Sequence, residues 1–158
     1  MKNRYSIFNI QYSLVAICCL LFVVFILAVW LLKTKPSRHF TIRDKATIAV
    51  DIADNDAKRE QGYSNHEPIG FNEGMLFVFP YPVTQQFWMK EMLFDLDFIY
   101  IRSGSIVYAV EHIKAPIHNK GAVEYINSPE PFDAVLEVKS GFIQKYNVRL
   151  GDKVKSEP

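Results

Sequence analysis

A run of 19 residues without a charged or strongly polar side chain, from Leu14 to Leu32, most constrains what this chain can fold into. As a helix rising about 1.5 Å per residue the run would measure about 28 Å, close to the roughly 30 Å hydrocarbon core of a bilayer. Fourteen of the 19 are Leu, Ile, Val or Phe, and each such residue favours insertion by roughly 0.3 to 0.6 kcal/mol. We therefore predict a tail over residues 1–12 and a transmembrane helix over 13–32, with Leu14 to Leu32 contacting the lipid bilayer.

The residues that flank the run agree with a retained span. Tyr12 and Trp30 lie at its ends, where aromatic rings favour the headgroup zone, and Lys33 and Lys35 can reach outward to the interface. A cleaved signal peptide is the alternative, but it needs small residues at the cleavage site, which Trp30 and its neighbours do not supply. The pattern predicts a single-pass membrane protein with a signal anchor.

Two signals in the sequence predict opposite orientations of the span in the membrane. Two basic residues precede the run and five follow it up to Lys45, and the positive-inside bias alone would keep the domain in the cytoplasm. An N-terminal span followed by one globular domain is instead the usual layout of a signal anchor that delivers the domain outside. We favour an extracytoplasmic domain, and the cytoplasmic alternative stays open.

Charge is distributed unevenly along the chain. Residues 1–39 carry five basic and no acidic side chains, whereas residues 40–158 carry 13 basic and 17 acidic ones. An acidic domain repels phosphate backbones, so no nucleic acid is expected as a partner. Pro36 should end the membrane helix, since proline cannot continue the hydrogen-bond ladder, so residues 33–39 are predicted to form a basic linker and residues 40–155 a folded domain.

The domain shows the period-two alternation of β-strands. Strands are predicted over residues 47–53, 75–79, 96–101, 106–110 and 134–138, with residues 96–110 forming a hairpin around Gly104. Two short helices are predicted, over residues 57–63 after an Asp54 or Asp56 cap and over residues 141–147. The predicted class is mainly β, a β-rich α+β single domain with one or two short helices.

Sequence signatures of catalysis are missing. There is no phosphate-binding glycine loop, no nucleophile elbow and no paired histidines at helical spacing. The four histidines are scattered singly, which fits no standard set of metal ligands. We therefore expect no metal and no cofactor, and a non-catalytic role is favoured over an enzymatic one.

Polar side chains in apolar strands are the candidates for a functional site. Trp88 and Lys90 alternate onto one face of an extended segment, while Asp97 and Glu137 each interrupt an apolar strand face. A buried unpaired charge costs several kcal/mol, so these carboxylates should reach solvent in a pocket or pair with Lys90 or Arg59. The cluster is either a structural network or the floor of a site for a small polar or envelope-derived ligand. A hydrolase using Asp97 and Glu137 is an alternative, provided that the two carboxyls face one cleft.

Two apolar motifs and their spacing resemble a known family. The matching residues are Gly74 to Phe79, Phe87 to Lys90, Leu96, Asp97, Gly104, Leu136, Glu137, Gly141, Gly151 and Asp152. This pattern is similar to the Domain of Unknown Function 192 family, also called uncharacterised protein family 0127, over residues 45–154. The resemblance implies a compact, barrel-like, mainly β domain, often behind a signal or anchor, with no established activity.

The resemblance also bears on the candidate site. Arg59 and Gly62 fall where the family carries an Arg and a Gly, whereas Glu91, Met92 and Asp95 depart from the family's polar residues after Lys90. We predict ligand binding at Trp88, Lys90, Asp97, Glu137 and Arg59. An interaction or assembly protein in which these residues only stabilise the fold is a further alternative.

Overall fold

The computed structural model describes residues 17–27 and 38–157. The chain forms two compact units, Met1–Pro36 and Ser37–Pro158. In the first unit, residues 17–27 form helix α1, whose apolar side chains are exposed. No helix within the described ranges has both the length and the apolarity to cross a membrane. The predicted tail, the other residues of the predicted span and residues 33–37 of the linker lie outside the described residues.

The second unit contains nine strands, two short α-helices and one 3₁₀ turn among its described residues. In chain order these are β1 (Arg38–Ile42), β2 (Ala46–Ala53), α2 (Asp56–Gln61), β3 (Glu73–Val83), β4 (Gln86–Trp88), β5 (Leu96–Arg102), β6 (Ser105–Ile113), the 3₁₀ turn (Pro116–His118), β7 (Tyr125–Asn127), β8 (Phe132–Lys139), α3 (Phe142–Tyr146) and β9 (Val154–Glu157). The predicted mainly β class is confirmed.

Seven strands form one curled sheet in the order β6-β5-β8-β3-β2-β1-β9, while β4 and β7 form a separate two-stranded ribbon. The pair β2 and β3 is parallel, and the other neighbours are antiparallel. The two edges of the sheet meet at one end, where Ser105 bridges Lys153 and the amide of Ile106 donates to the carbonyl of Asp152 at 3.0 Å. This curl confirms the barrel-like prediction.

Both faces of the central strands are buried, and in β5 every residue except Arg102 is buried, Asp97 included. Ile99 and Leu136 belong to one core, which α3 covers through Phe142. Phe98 belongs to the opposite core, which includes Phe87 of the β4 and β7 ribbon. Fully burying one such side chain stabilises the fold by about 1.5 to 3 kcal/mol, so the sheet is a shared wall between two apolar layers.

Local chemistry accounts for the elements that the sequence predicted. Ser103 and Gly104 join β5 to β6 as a two-residue turn with φ values of 51° and 71°, the positive-φ geometry that matches the twist of a hairpin. The helix predicted over 57–63 is observed as Asp56–Gln61, and its cap is Asn55, whose side chain accepts from the amide of Lys58 at 3.1 Å. The predicted Asp54 or Asp56 cap was wrong, because Asn55 has the extended backbone and the side-chain oxygen in position.

The domain boundaries shift outward relative to the prediction. Arg38 and His39, assigned to the linker, begin β1 by pairing with β2, and β9 runs to residue 157 rather than ending at 155. The short strand β7 was not predicted, and β4 was anticipated only as an extended segment around Trp88 and Lys90, without its bounds or its partner. Each is only three residues long and is defined by its partner, so little alternation was available to detect.

Candidate functional site

The side chain of Glu137 lies on the core face that contains Phe98. In the sheet register Glu137 is opposite Met75 of β3 on one side and Phe98 of β5 on the other, and cross-strand partners share a face. Only 5% of Glu137 is exposed. Its carboxyl is therefore held between two apolar side chains by the backbone pairing itself.

The surroundings of Glu137 disfavour its charged form. Burial raises the pKa of Glu137 from 4.5 to about 8, because a carboxylate loses its hydration there. Among the described residues, no side chain or amide donates a hydrogen bond to this carboxyl, and none forms an ion pair with it. Of the two alternatives predicted for Glu137, a place in a pocket or a pairing with Lys90 or Arg59, the pairing is therefore not formed. Burial first, and then the charge of Glu137, also raises the pKa of Tyr100, whose hydroxyl is buried without a hydrogen-bond partner.

A recess of about 30 Å³ opens beside Glu137. Its wall includes Tyr63 and Phe77, and residues at its rim include Gln61, Gln86 and Trp88. A cavity needs about 10 to 15 Å³ of such space to hold a water molecule, so the recess admits a small group and not a sugar ring. The recess brings together three of the predicted site residues, namely Arg59, Trp88 and Glu137.

An outer groove of about 340 Å³ adjoins this recess. The two share Glu60, Gln61, Ser64 and Trp88 in their walls. The remaining groove residues are Ala57, Asn65, Lys90 and Glu91. The volume falls in the range of about 300 to 1,000 Å³ that small-molecule sites occupy, and most side chains of the groove can form hydrogen bonds.

Two loops that line the groove are tied to each other. The amide of Asn65 donates to the carbonyl of Glu91 at 2.8 Å, and its side-chain amide donates to the Glu91 carboxylate at 3.1 Å. The hydroxyl of Ser64 donates to the carbonyl of Lys90 at 3.0 Å. Asn65 and Glu91 both have positive φ, near 58° and 59°. These contacts hold the segment after α2 against the segment after β4 and fix the shape of the groove.

Lys90 lies in the groove with its side chain mostly exposed. Its ammonium is 3.9 Å from the Glu91 carboxylate, a solvent-screened pair that contributes little to stability. Trp88 is 38% exposed and lies in the walls of both groove and recess. The structure thus places the predicted tryptophan and lysine together at the groove, with Glu137 at the recess behind it.

Arg59 is already engaged with its own domain. One guanidinium nitrogen donates to the carbonyl of Val78 at 2.8 Å, another to Asp56 at 2.7 Å, and the cation lies 5.0 Å from the ring centre of Phe79. These contacts fasten α2 to β3. Arg59 therefore shapes the recess and is not a free cation for a ligand.

Asp97 is a structural residue rather than a ligand residue. Its fully buried carboxylate accepts hydrogen bonds from the amides of His112 at 2.9 Å, Gly141 at 3.0 Å and Ile143 at 3.0 Å. His112 lies in a bulge of β6, where two residues face one of β5, and the other two amides open α3. These donors would otherwise lack partners, so the predicted pairing of Asp97 with Lys90 or Arg59 was wrong.

Asp97 and Glu137 lie on opposite faces of the sheet. Asp97 is opposite Val138 and shares the core of Ile99, as its alternation with Ile99 predicted, whereas Glu137 is opposite Phe98. The two carboxyls therefore cannot flank one bond across a cleft, as glycoside hydrolysis requires. The alternative prediction of a hydrolase using Asp97 and Glu137 was wrong, because strand register separates them.

Several groove residues were not found from the sequence. Glu60, Gln61 and Asn65 are ordinary polar residues in a helix and its following loop, with no signal that marks them. Tyr125 pairs with Trp88 across the ribbon and is exposed beside it, but β7 is too short to predict. No group of three or more metal-ligating side chains occurs within residues 17–27 and 38–157.

A family model covers this whole curled sheet. The model of DUF192, described as uncharacterized ACR, matches residues 38–156. The chain belongs to the DUF192 family. The match begins and ends with the strands that close the sheet, β1 and β9, and so includes both recess and groove.

Solved structures share the fold of this DUF192 domain. One is a proposed transcription regulator from Sinorhizobium meliloti 1021, 28% identical, with a TM-score of 0.65 over 75% of this chain and 91% of that one. Another is a protein of unknown function from Novosphingobium aromaticivorans DSM 12444, 21% identical, with a TM-score of 0.65 over 75% of this chain and 83% of that one. No curated protein matches the chain.

Proposed function

We propose that this DUF192 member is a single-pass membrane protein whose β domain lies outside the cytoplasm and binds a small polar ligand of the cell envelope in the groove. The membrane part of the proposal is supported by the uncharged run from Leu14 to Leu32. Its test is extraction of membranes with alkaline carbonate, with a phosphatase or fluorescent reporter fused to the C-terminus. Release by carbonate would contradict the anchor, and fluorescence without phosphatase activity would place the domain in the cytoplasm.

One observation carries the binding proposal. Trp88, 38% exposed, lies where a polar groove of about 340 Å³ meets a small recess that has a carboxyl in its wall. An aromatic face beside a few convergent polar groups is the arrangement that recognises sugars and similar solutes. The groove offers amide, hydroxyl and carboxylate groups for the hydroxyls of such a ligand, among them Gln61, Ser64 and Glu60.

The description of the Sinorhizobium relative raises the possibility of nucleic-acid binding. The charge of this chain weighs against it, since residues 40–158 carry 17 acidic and 13 basic side chains. The two cations near Trp88, Arg59 and Lys90, also have carboxylates as neighbours. A small ligand therefore agrees with the site better than a phosphate backbone does.

Tryptophan fluorescence tests the binding proposal directly. The chain has two tryptophans, so Trp30→Phe leaves Trp88 as the single reporter in the full-length protein. Titration with N-acetylglucosamine or glucose, in a detergent without a sugar headgroup, should change the emission of Trp88. The matched control is Trp88→Phe, which keeps Trp30 and should not respond. Unchanged Trp88 emission at saturating concentrations of these sugars and of a small amino alcohol such as ethanolamine would reject the proposal.

A further inference from the structure

The unpartnered carboxyl of Glu137 identifies the kind of group that the recess accepts. Buried polar side chains nearly always have hydrogen-bond partners, and an exception calls for an explanation. Glu137 is 5% exposed and so 95% buried, and no described residue donates a hydrogen bond to its carboxyl. The carboxyl also forms part of the wall of a recess that has room for one small group. The missing partner is therefore a hydrogen-bond donor of about the size of a water molecule.

The charges around the recess favour a cationic donor over a neutral one. Its carboxyls are Glu137 and, from α2, Glu60, and the adjoining groove adds Glu91. The cations are Arg59, held by Val78 and Asp56, and Lys90, placed 3.9 Å from Glu91. Both cations thus have acceptors or carboxylates beside them already, which leaves Glu60 and Glu137 without a cationic partner among the described residues.

The aromatic side chains of the recess, Trp88 and Tyr63, also favour a cationic ligand. Trp88 in the wall of the recess presents an indole, the ring that attracts an ammonium most strongly. Tyr63 also lines the recess, and burial together with Glu137 raises its pKa, so it stays neutral and adds no competing charge. An ammonium has three donors, enough for the carboxyl and for neighbouring oxygens.

We propose that the recess binds the primary ammonium group of a small hydroxylated amine, an amino alcohol or an amino sugar, whose body lies in the groove against Trp88. This inference rests on the proposed function and adds the charge of the ligand. The ammonium would donate to the ionised carboxylate of Glu137. Because that carboxyl holds its proton near neutrality, ligand binding would release the proton to solvent.

The experiment compares matched probes by calorimetry on the full-length protein. Ethanolamine is paired with ethylene glycol, and glucosamine with glucose, so that each pair differs in one amino group. The amine of the preferred pair should bind at least tenfold more tightly than its neutral partner at pH 7, and which pair shows the preference distinguishes an amino alcohol from an amino sugar. Glu137→Gln should abolish the preference, while Glu130→Gln, an exposed position outside both recess and groove, should retain it.

A second measurement needs no variant at Glu137. The affinity of the wild-type protein for ethanolamine should rise between pH 6 and pH 8.5, with proton release seen as a dependence of the binding heat on the buffer. If amines and neutral probes bind equally, the inference fails while the proposed function stands. If neither class binds, both fail. An amine preference that survives in Glu137→Gln would also overturn the inference.

Discussion

Asp97 and Glu137 occupy neighbouring strands but point to opposite faces of the sheet, because Asp97 is opposite Val138 while Glu137 is opposite Phe98. An offset of one residue in register is enough to separate them, since side chains alternate between faces. Asp97 accepts three backbone hydrogen bonds, whereas no described residue donates to Glu137. Two acidic residues with similar sequence surroundings therefore have different roles, one in folding and one at the recess.

Asp97→Ala should strongly destabilise the domain. The change leaves one buried and two partly buried amides without an acceptor. Because an unsatisfied buried donor costs about 1 to 3 kcal/mol, we expect the free energy of unfolding to fall by about 3 kcal/mol. Urea unfolding of the full-length protein measures this. Asp133→Ala is the control, because that carboxylate accepts one exposed bond, from the amide of Ser103 at 2.8 Å. Equal losses in the two variants would contradict the structural role of Asp97.

Glu137→Gln should change how stability depends on pH. The pKa of Glu137 is raised to about 8 in the folded state from 4.5, so the folded state binds the proton more tightly than the unfolded state. The contribution is complete below about pH 4.5 and is lost as the pH rises to about 8, at a slope near 1.4 kcal/mol per pH unit. Urea unfolding at pH 4.5, 6 and 8 should show wild type losing stability relative to Glu137→Gln. Parallel profiles would show that the carboxyl is not desolvated.

Gly74→Ala should be destabilising without any change of charge. A Cβ at Gly74 would lie 2.9 Å from the backbone oxygen of Glu137 and 3.2 Å from Val138 Cγ1, so β3 and β8 would have to separate. Such overpacking costs about 1 to 3 kcal/mol. Gly70→Ala is the matched control, because its nearest neighbour is the side-chain oxygen of Asn72 at 2.7 Å, which can rotate away. Thermal unfolding should show a lower Tm for Gly74→Ala and an unchanged Tm for Gly70→Ala.

Arg59→Met should loosen α2 from β3. The variant loses the hydrogen bonds to Val78 and Asp56 and the cation over Phe79, which together stabilise the fold by about 1 to 2 kcal/mol. Hydrogen exchange at the amides of α2 should become faster while β5 stays protected. Lys58→Met, which removes only an exposed ion pair with Asp54, should leave hydrogen exchange unchanged in both α2 and β5. Unaltered exchange in Arg59→Met would show that the guanidinium does not hold the helix.

The strands that alternate over many residues could be predicted from the sequence, and the short ones could not. β5 and β6 are joined by Ser103 and Gly104, so the two strands are neighbours in the sequence. The residues between them favour the turn that pairs them. β4 and β7 pair residues 86–88 with 125–127, and three residues carry too little pattern to show a partner almost 40 positions away. β1 was not predicted, because its first two residues, Arg38 and His39, continue the basic composition of the linker.

The candidate site could be predicted only in part. Trp88, Lys90, Arg59 and Glu137 do lie around the recess and groove, because an aromatic with polar neighbours in an apolar strand already marks an unusual environment. Asp97 was assigned to the same cluster because it too interrupts an apolar strand face. Its true partners are backbone amides of β6 and α3, and every residue carries an amide, so no side-chain pattern could identify them.

The sequence alone sets the mainly β class, the hairpin and the two short helices, because period and turn residues act over a few neighbours along the chain. It also determined that Asp97 and Glu137 would interrupt apolar strand faces. The core that each carboxyl enters is set by the folded sheet, since it depends on the register of β5 against β8. A one-residue offset supplied Asp97 with three donors and left Glu137 without one, and no local interaction encodes that choice.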